Sequence, residues 1–255
     1  MTAWLDIGGQ ALGGWLSCPR PGHRSTPAYD EDVRGCLRPG DVLLVEGSSR
    51  ISTVIQYLTQ SSWSHAALFV GEVQGRRLGA HPGQWFIEAD LVEGVRMTGF
   101  EAYRGHALRI CRPVGLTTAE IERLIDYAHA RLGHRYDLHN LLDLARYLLP
   151  LPPVPARWRR SLLGVCSGDP TRAICSTLIA EAFQSVRYPI LPIPVSGRPG
   201  RFRRRHASLF TPRDFDLSPF FRIVKPQLRD FRHRALRWEE GPALDAAAGV
   251  TAPAR

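Results

Sequence analysis

Five short apolar runs crowd into residues 42–112 of this 255-residue chain, and sustained helical spacing takes over only after them. Val42-Leu43-Leu44-Val45-Glu46 follows the turn chemistry of Leu37-Arg38-Pro39-Gly40-Asp41. Comparable runs recur at His65 to Val70, Trp85 to Ala89, Gly94 to Met97 and His106 to Arg112. Runs this short, bounded by turn residues, suit strands rather than helices. Between the first two, Ile51, Val54, Ile55 and Leu58 sit at helical spacing within Ser49 to Thr59. From Thr118 onward Ile121, Leu124, Ile125 and Ala128 form a helical stripe. Acidic residues near its start complement the helix dipole, and Gly133 ends it. Leu138 to Leu149 is a second apolar segment, closed by Pro150, and Pro152-Pro153-Val154-Pro155 reads as a stiff spacer. A third helix is predicted from about Cys175 to Val186, and a last strand from Phe220 to Val224. Sheet first and helices second predicts an α+β fold, a small antiparallel sheet packed against helices.

The chain divides into an N-terminal extension and linker (1–35), one domain (36–226) and a C-terminal tail (227–255) expected to be partly disordered. Within the extension, residues 19–34 are rich in Pro, Gly, Ser and charge and read as linker. No apolar run approaches the roughly 20 residues that cross a bilayer. The N-terminus has no basic region, and Asp6 interrupts its apolar stretch, so no signal peptide is expected. Trp4, Leu5, Leu12, Trp15 and Leu16 make an apolar stripe that lies either on a membrane surface or on the protein's own body. A cytoplasmic location is expected, with peripheral membrane contact left open. The net charge of +9 is carried almost wholly by arginine, since Lys225 is the only lysine. That balance permits acidic partners without choosing among them. Arg203 to Arg205, with His206, form a basic loop that either grips phosphate or is simply solvated. No interleaved aromatics accompany them, so nucleic-acid binding is not expected.

Five cysteines are an odd number, and their spacings fit no zinc pattern. The histidines likewise show no metal-ligand spacing, so no metal site is expected. Cys175 is the cysteine of interest. The turn Gly168-Asp169-Pro170 stands upstream and Ser176-Thr177-Leu178-Ile179-Ala180 follows, which places the thiol at or near a helix N-terminus. Unpaired N–H groups and the positive dipole end favour thiolate there, although a small buried hydrophobe fits the same residue. His65, in Trp63-Ser64-His65-Ala66-Ala67, heads a strand and is either a core histidine or a base held by a rigid element. Glu88, in Phe86-Ile87-Glu88-Ala89, is either an exposed acid or a carboxylate that orients the ring of His65.

Strand-borne His, next-strand Glu and helix-start Cys, in that order, resemble the circularly permuted NlpC-type cysteine hydrolases of the papain-like superfamily. The closer likeness is to the YiiX/YebB-like branch, itself distantly similar to the lecithin:retinol acyltransferase group. It runs from about Leu37 to Pro226. It is carried by Pro39-Gly40-Asp41-Val42-Leu43-Leu44, by Ser61 to Gly71, by Ile87-Glu88-Ala89, by Gly133 to Asp137, by Ile174-Cys175-Ser176 and by Thr211 to Pro219. The resemblance implies a permuted papain-like fold, with Cys175 as nucleophile, His65 as general base and Glu88 as the orienting residue. It also implies a place near the site for Tyr136, on substrate or oxyanion, though a packing role suits that residue equally. Asp41 matches a position common to the family, and turn capping accounts for it. No cofactor is implied. The activity expected is cleavage of a peptide amide or acyl bond through an acyl-enzyme. A lipid-directed acyl hydrolase or acyltransferase and a non-catalytic binding module stand as alternatives.

Overall fold

A computed structural model describes residues 30–73, 76–77, 84–90, 93–134, 174–195 and 201–226. The expected α+β architecture is what it contains. Helix α1 (Asp30–Cys36) leads into β1 (Val42–Glu46), α2 (Arg50–Thr59) and β2 (His65–Phe69). A small ribbon of β3 (Glu72–Val73) and β4 (Arg76–Arg77) follows, then β5 (Gln84–Asp90), β6 (Gly94–Gly99), a 3-10 turn (Phe100–Tyr103) and β7 (Ala107–Pro113). After α3 (Thr118–His129) come α4 (Ile174–Ser185), β8 (Ile193–Pro194), β9 (Phe202–Arg203), a second 3-10 turn (Ala207–Leu209), α5 (Pro212–Leu217) and β10 (Phe221–Val224).

Six strands form one antiparallel sheet in the order β10-β7-β1-β2-β5-β6. Both faces are covered. Val42 and Leu44 of β1 face a core that includes Leu124 and Ile125 of α3 and Leu178, Ile179 and Phe183 of α4. Leu43 and Val45 face a second core with Val33 of α1, Phe86, Phe100 and Ile110. A strand buried on both sides gains from apolar side chains at every position, which is why β1 reads as a continuous run rather than an alternation. The turn before it needs Gly40, whose φ of +88° is one that side-chain-bearing residues avoid.

The helices begin where local chemistry lets them. Ser49 caps α2 by accepting from the Ser52 N–H. Thr117 and Glu120 cap α3 reciprocally, each side chain accepting from the other's backbone N–H. Thr211 and Asp214 do the equivalent at α5, with Pro212 in the first turn.

Two expectations need correction. Residues 30–34, read as linker, belong to α1, whose Val33 is buried against the second core; one apolar contact was hidden in a charged stretch. The basic loop supplies β9, which pairs with β8. The apolar stripe near the N-terminus, the segment Leu138 to Leu149, the proline spacer and the C-terminal tail lie outside the described residues. Among the described residues no helix is long and apolar enough to cross a membrane.

Asp41 does more than cap its turn. It accepts from the Arg38 N–H at 2.8 Å and takes both Nε and Nη2 of Arg112, at 2.8 and 2.7 Å. Asp41 is only 1% exposed. Burial pushes its carboxyl above the ordinary range, and Arg112 is the main counterweight. This pair ties the entry of β1 to β7. Arg112→Leu leaves a buried carboxylate unpaired and is expected to cost about 3–5 kcal/mol. Urea unfolding of the variant against wild type checks this, and a loss under about 1 kcal/mol would contradict it.

Candidate active site

The β2–β5 ladder pairs Leu68 with Ile87 and Phe69 with Phe86. Side chains alternate along a strand, so His65, Ala67 and Phe69 share a face with Phe86 and Glu88. Leu68 and Ile87 point the other way, into the core under the helices. His65 and Glu88 thus meet side by side, and His65 Nε2 lies 2.7 Å from Glu88 Oε2.

The head of β2 is pinned in place. The Ser64 N–H donates to the Val45 carbonyl, and Ser64 Oγ accepts from the Gly47 N–H at 2.9 Å. The Trp63 indole N–H donates to Asp216 of α5 at 3.2 Å. The Arg109 guanidinium lies over the same indole at 4.8 Å and binds Asp216 through two 2.7 Å contacts.

Glu88 is buried, and its carboxylate is fully engaged. Oε2 accepts from the Tyr103 hydroxyl at 2.6 Å as well as meeting His65. Oε1 accepts from Arg96 Nε at 2.9 Å, with Arg96 Nη2 at 2.8 Å. Burial pushes the carboxyl up, but His65, Tyr103 and Arg96 together outweigh it and hold Glu88 down at about 2. Tyr103, in the first 3-10 turn, is itself buried and packs edge-on against Phe86 at 5.1 Å.

Cys175 is the second residue of α4 and only 5% exposed. Burial pushes its thiol up, yet His65, the Ala66 N–H and Ser176 more than offset this, and the thiol lies below its ordinary value of 9.0. Burial likewise opposes charge on His65. The negative charges of Cys175 and Glu88, and the hydrogen bonds to both, raise the imidazole well above 6.5. Opposite displacements of this kind favour a thiolate–imidazolium pair over the neutral one. With Nε2 engaged by Glu88, Nδ1 is the ring nitrogen left for the thiol.

The structure therefore brings Cys175, His65 and Glu88 together. Tyr136 lies outside the described residues; its neighbours Gly133 and His134 are hydrogen-bonded to Val95 of β6. Arg96 and Tyr103 went unrecognised in the sequence. A signal for Arg96 existed, because it lies directly opposite Glu88 across the β5–β6 hairpin, and opposite charges favour that position. For Tyr103, fifteen residues from Glu88, no local pattern announced the contact. Among the described residues no group of three or more His, Cys, Asp or Glu side chains is arranged to hold a metal ion.

Comparison with known proteins turns on the strand-borne half of this site. Residues 36–147 match the family model of the permuted papain-like amidases, YaeF/YiiX, family C92. Over residues 36–147 the resemblance read from the sequence is borne out, and with it the permuted papain-like fold. At the coarse level the family is one of cysteine peptidases and amidases. The matched span includes His65, Glu88, Arg96 and Tyr103 and ends before Cys175. The crystal structure of the metalloprotein YiiX from Escherichia coli O157:H7 is similar over 74% of this chain and 97% of its own. The identity is 15% and the TM-score 0.45. The comparison with curated proteins gives no match.

The sign of the Glu88 displacement sets a pH dependence. Its folded value of about 2 lies below the ordinary 4.5. The ionised form therefore contributes stability that is fully present above the ordinary value and lost as pH falls through the folded one. Glu88→Gln is expected to be less stable than wild type by about 2 kcal/mol near neutral pH, and the gap should narrow as pH falls below about 4.5 and close only near about pH 2. Denaturant unfolding across that range tests it, and a gap that stays constant with pH would count against it.

Proposed function

We propose that this chain is a cysteine hydrolase of the amidase type, cleaving an amide or acyl bond through a covalent thioester with Cys175. The observation that carries the reading is one contiguous line of groups. A thiol lowered by its imidazole neighbour meets an imidazole raised in return, and a buried carboxylate holds the far ring nitrogen.

On this reading the Cys175 thiolate attacks the substrate carbonyl carbon, and the C=O π electrons move onto oxygen. Cys175 lies in the first turn of α4, where the positive end of the helix dipole favours negative charge on that oxygen. Collapse of the tetrahedral species breaks the bond to the leaving group, which takes the proton from His65 Nδ1. A thioester on Cys175 and a neutral imidazole remain. His65 then accepts a proton from water as the water attacks the thioester, and the second collapse releases the acid and restores the thiolate. Throughout, Glu88 accepts from Nε2–H, so the ring keeps one tautomer and one orientation.

The lipid-directed alternative draws on the apolar segments near 4–16 and 138–149, which lie outside the described residues, and nothing described favours it. A binding module without turnover has no need for a thiol and an imidazole displaced toward opposite charges.

Alkylation of Cys175 by iodoacetamide across pH tests the reading in wild type and His65→Ala. Wild type is expected to retain a reactive thiolate well below about pH 8.5, the free-cysteine value. His65→Ala should shift the acid limb upward and lose at least roughly tenfold in rate near pH 6. A thiol that titrates like a free cysteine, or is indifferent to His65→Ala, would overturn the assignment. With a reactive pair established, Cys175→Ser is expected to lower amide or ester turnover by about 10³-fold or more.

A further inference from the structure

Glu88 accepts from four donors, and only one of them belongs to the nucleophile's base. Arg96 grips Oε1 with two nitrogens, Tyr103 sits on Oε2, and His65 takes the remaining direction on Oε2. Few sites remain for a fifth partner, so the carboxylate has little freedom to turn. We infer that Arg96 and Tyr103 are positioning residues of the proposed reaction, clamping Glu88 in its ionised form so that His65 presents Nδ1 to Cys175. The inference deepens the cysteine-hydrolase reading and rests on it.

The two clamps do different jobs. Tyr103 is a neutral donor on the same oxygen that His65 uses, buried beside Phe86 and with its ring centroid 6.4 Å from that of His65. It fixes where that oxygen lies. Arg96 supplies a fixed positive charge from β6, directly across the ladder from Glu88. The charged and titratable groups around Glu88 are His65 from β2, Arg96 from β6 and Tyr103 from the 3-10 turn. Cys175 from α4 lies beyond His65. Arg96 also touches Asp90 at 3.6 Å and Glu93 at 2.9 Å, which hold its guanidinium from the solvent side.

Removing a fixed positive charge raises the proton affinity of every group near it. Arg96→Gln should therefore move the acid limb of Cys175 reactivity upward, because thiolate and carboxylate both lose a stabilising charge. Arg96→Lys keeps the charge but not the planar fork. It should leave the limb near its wild-type position while lowering the plateau. Tyr103→Phe removes no charge and should lower the plateau with little movement of the limb. A merely structural role would lower the melting temperature of all three variants and move no limb.

The experiment is the pH profile of iodoacetamide alkylation at Cys175 in wild type, Arg96→Gln, Arg96→Lys and Tyr103→Phe, with thermal unfolding of each in parallel. Expected are an upward shift of about one pH unit for Arg96→Gln, equal to a roughly tenfold slower reaction on the acid limb, and a return toward wild type in Arg96→Lys. A plateau about three- to tenfold lower is expected for Tyr103→Phe. If wild type shows a low-pH thiolate and Arg96→Gln leaves the limb in place, the inference is overturned while the cysteine-hydrolase reading stands. If wild type itself titrates as a free thiol, the broader reading has failed first. If Arg96→Gln does not fold, the plateaus of Arg96→Lys and Tyr103→Phe decide, and wild-type plateaus in both overturn the inference.

Discussion

Phe69 lies opposite Phe86, and that pairing governs which way His65 and Glu88 point. Side chains alternate with a period of two, so a slip of one residue would turn every one of them to the other face. Glu88 would then sit beneath α4 among Leu178, Ile179 and Phe183, and Ile87 would take its place beside His65. The register is held from both sides of the sheet. Leu68 and Ile87 are fully buried under the helices, while Phe69 and Phe86 meet edge to face at 5.1 Å on the opposite face. Keeping this core keeps the imidazole and the carboxylate on one face of the sheet, so packing and the site share this constraint.

The thiol arrives by the same logic. Cys175, Leu178, Ile179, Ala182 and Phe183 recur at i, i+3, i+4, i+7 and i+8, one stripe of α4. Four of them lie in the core beneath the helix, against β2 and β5. Cys175 is the first residue of that stripe and is carried down onto the head of β2, where the Ala66 N–H and the His65 ring meet it. The two readings open in the sequence, a small buried hydrophobe and a helix-start nucleophile, therefore describe one position. The residue is buried because it belongs to the apolar stripe. Its charge is favoured because the stripe begins at the helix N-terminus beside an imidazole.

That overlap marks how far the sequence could be read. Strand runs, helix stripes and caps are local, and they announced β1, β2, β5, β7, α2 and α4, and the start of α3, within a residue or two of where they lie. His65, Glu88 and Cys175 were legible as a set only through the family resemblance, which rests on the order of strand-borne His, next-strand Glu and helix-start Cys; taken singly, each also suited an ordinary structural place. Val33 was missed because a single apolar side chain in a charged stretch carries no period. Arg96 was within reach, since Gly94 turns the β5–β6 hairpin and pairs the arginine with Glu88. Tyr103 was not. Its contact depends on how the 3-10 turn folds back over Phe86, and no spacing rule encodes that. Asp41 showed the same limit, because its turn was visible and its Arg112 partner, seventy-one residues away, was not.

What the local signals omit is the charge balance, and it explains how ionised groups persist in so dry a place. Burial alone would neutralise Cys175, His65 and Glu88 one by one. Along the line from α4 to the β5–β6 turn the preferred charges alternate: thiolate, imidazolium, carboxylate, guanidinium, and then Asp90 and Glu93. Its inner carboxylate, Glu88, has a side chain only 4% exposed, and its outer end, the Glu93 side chain, is 62% exposed. Each buried charge is flanked by opposite ones, and the line ends where water can solvate the last. An interior ion pair left to itself often fails to recover the cost of desolvation. One joined to the surface through alternating partners spreads that cost over several contacts. The hairpin that sets Arg96 beside Glu88 is therefore as much a part of the site's electrostatics as the helix that delivers the thiol.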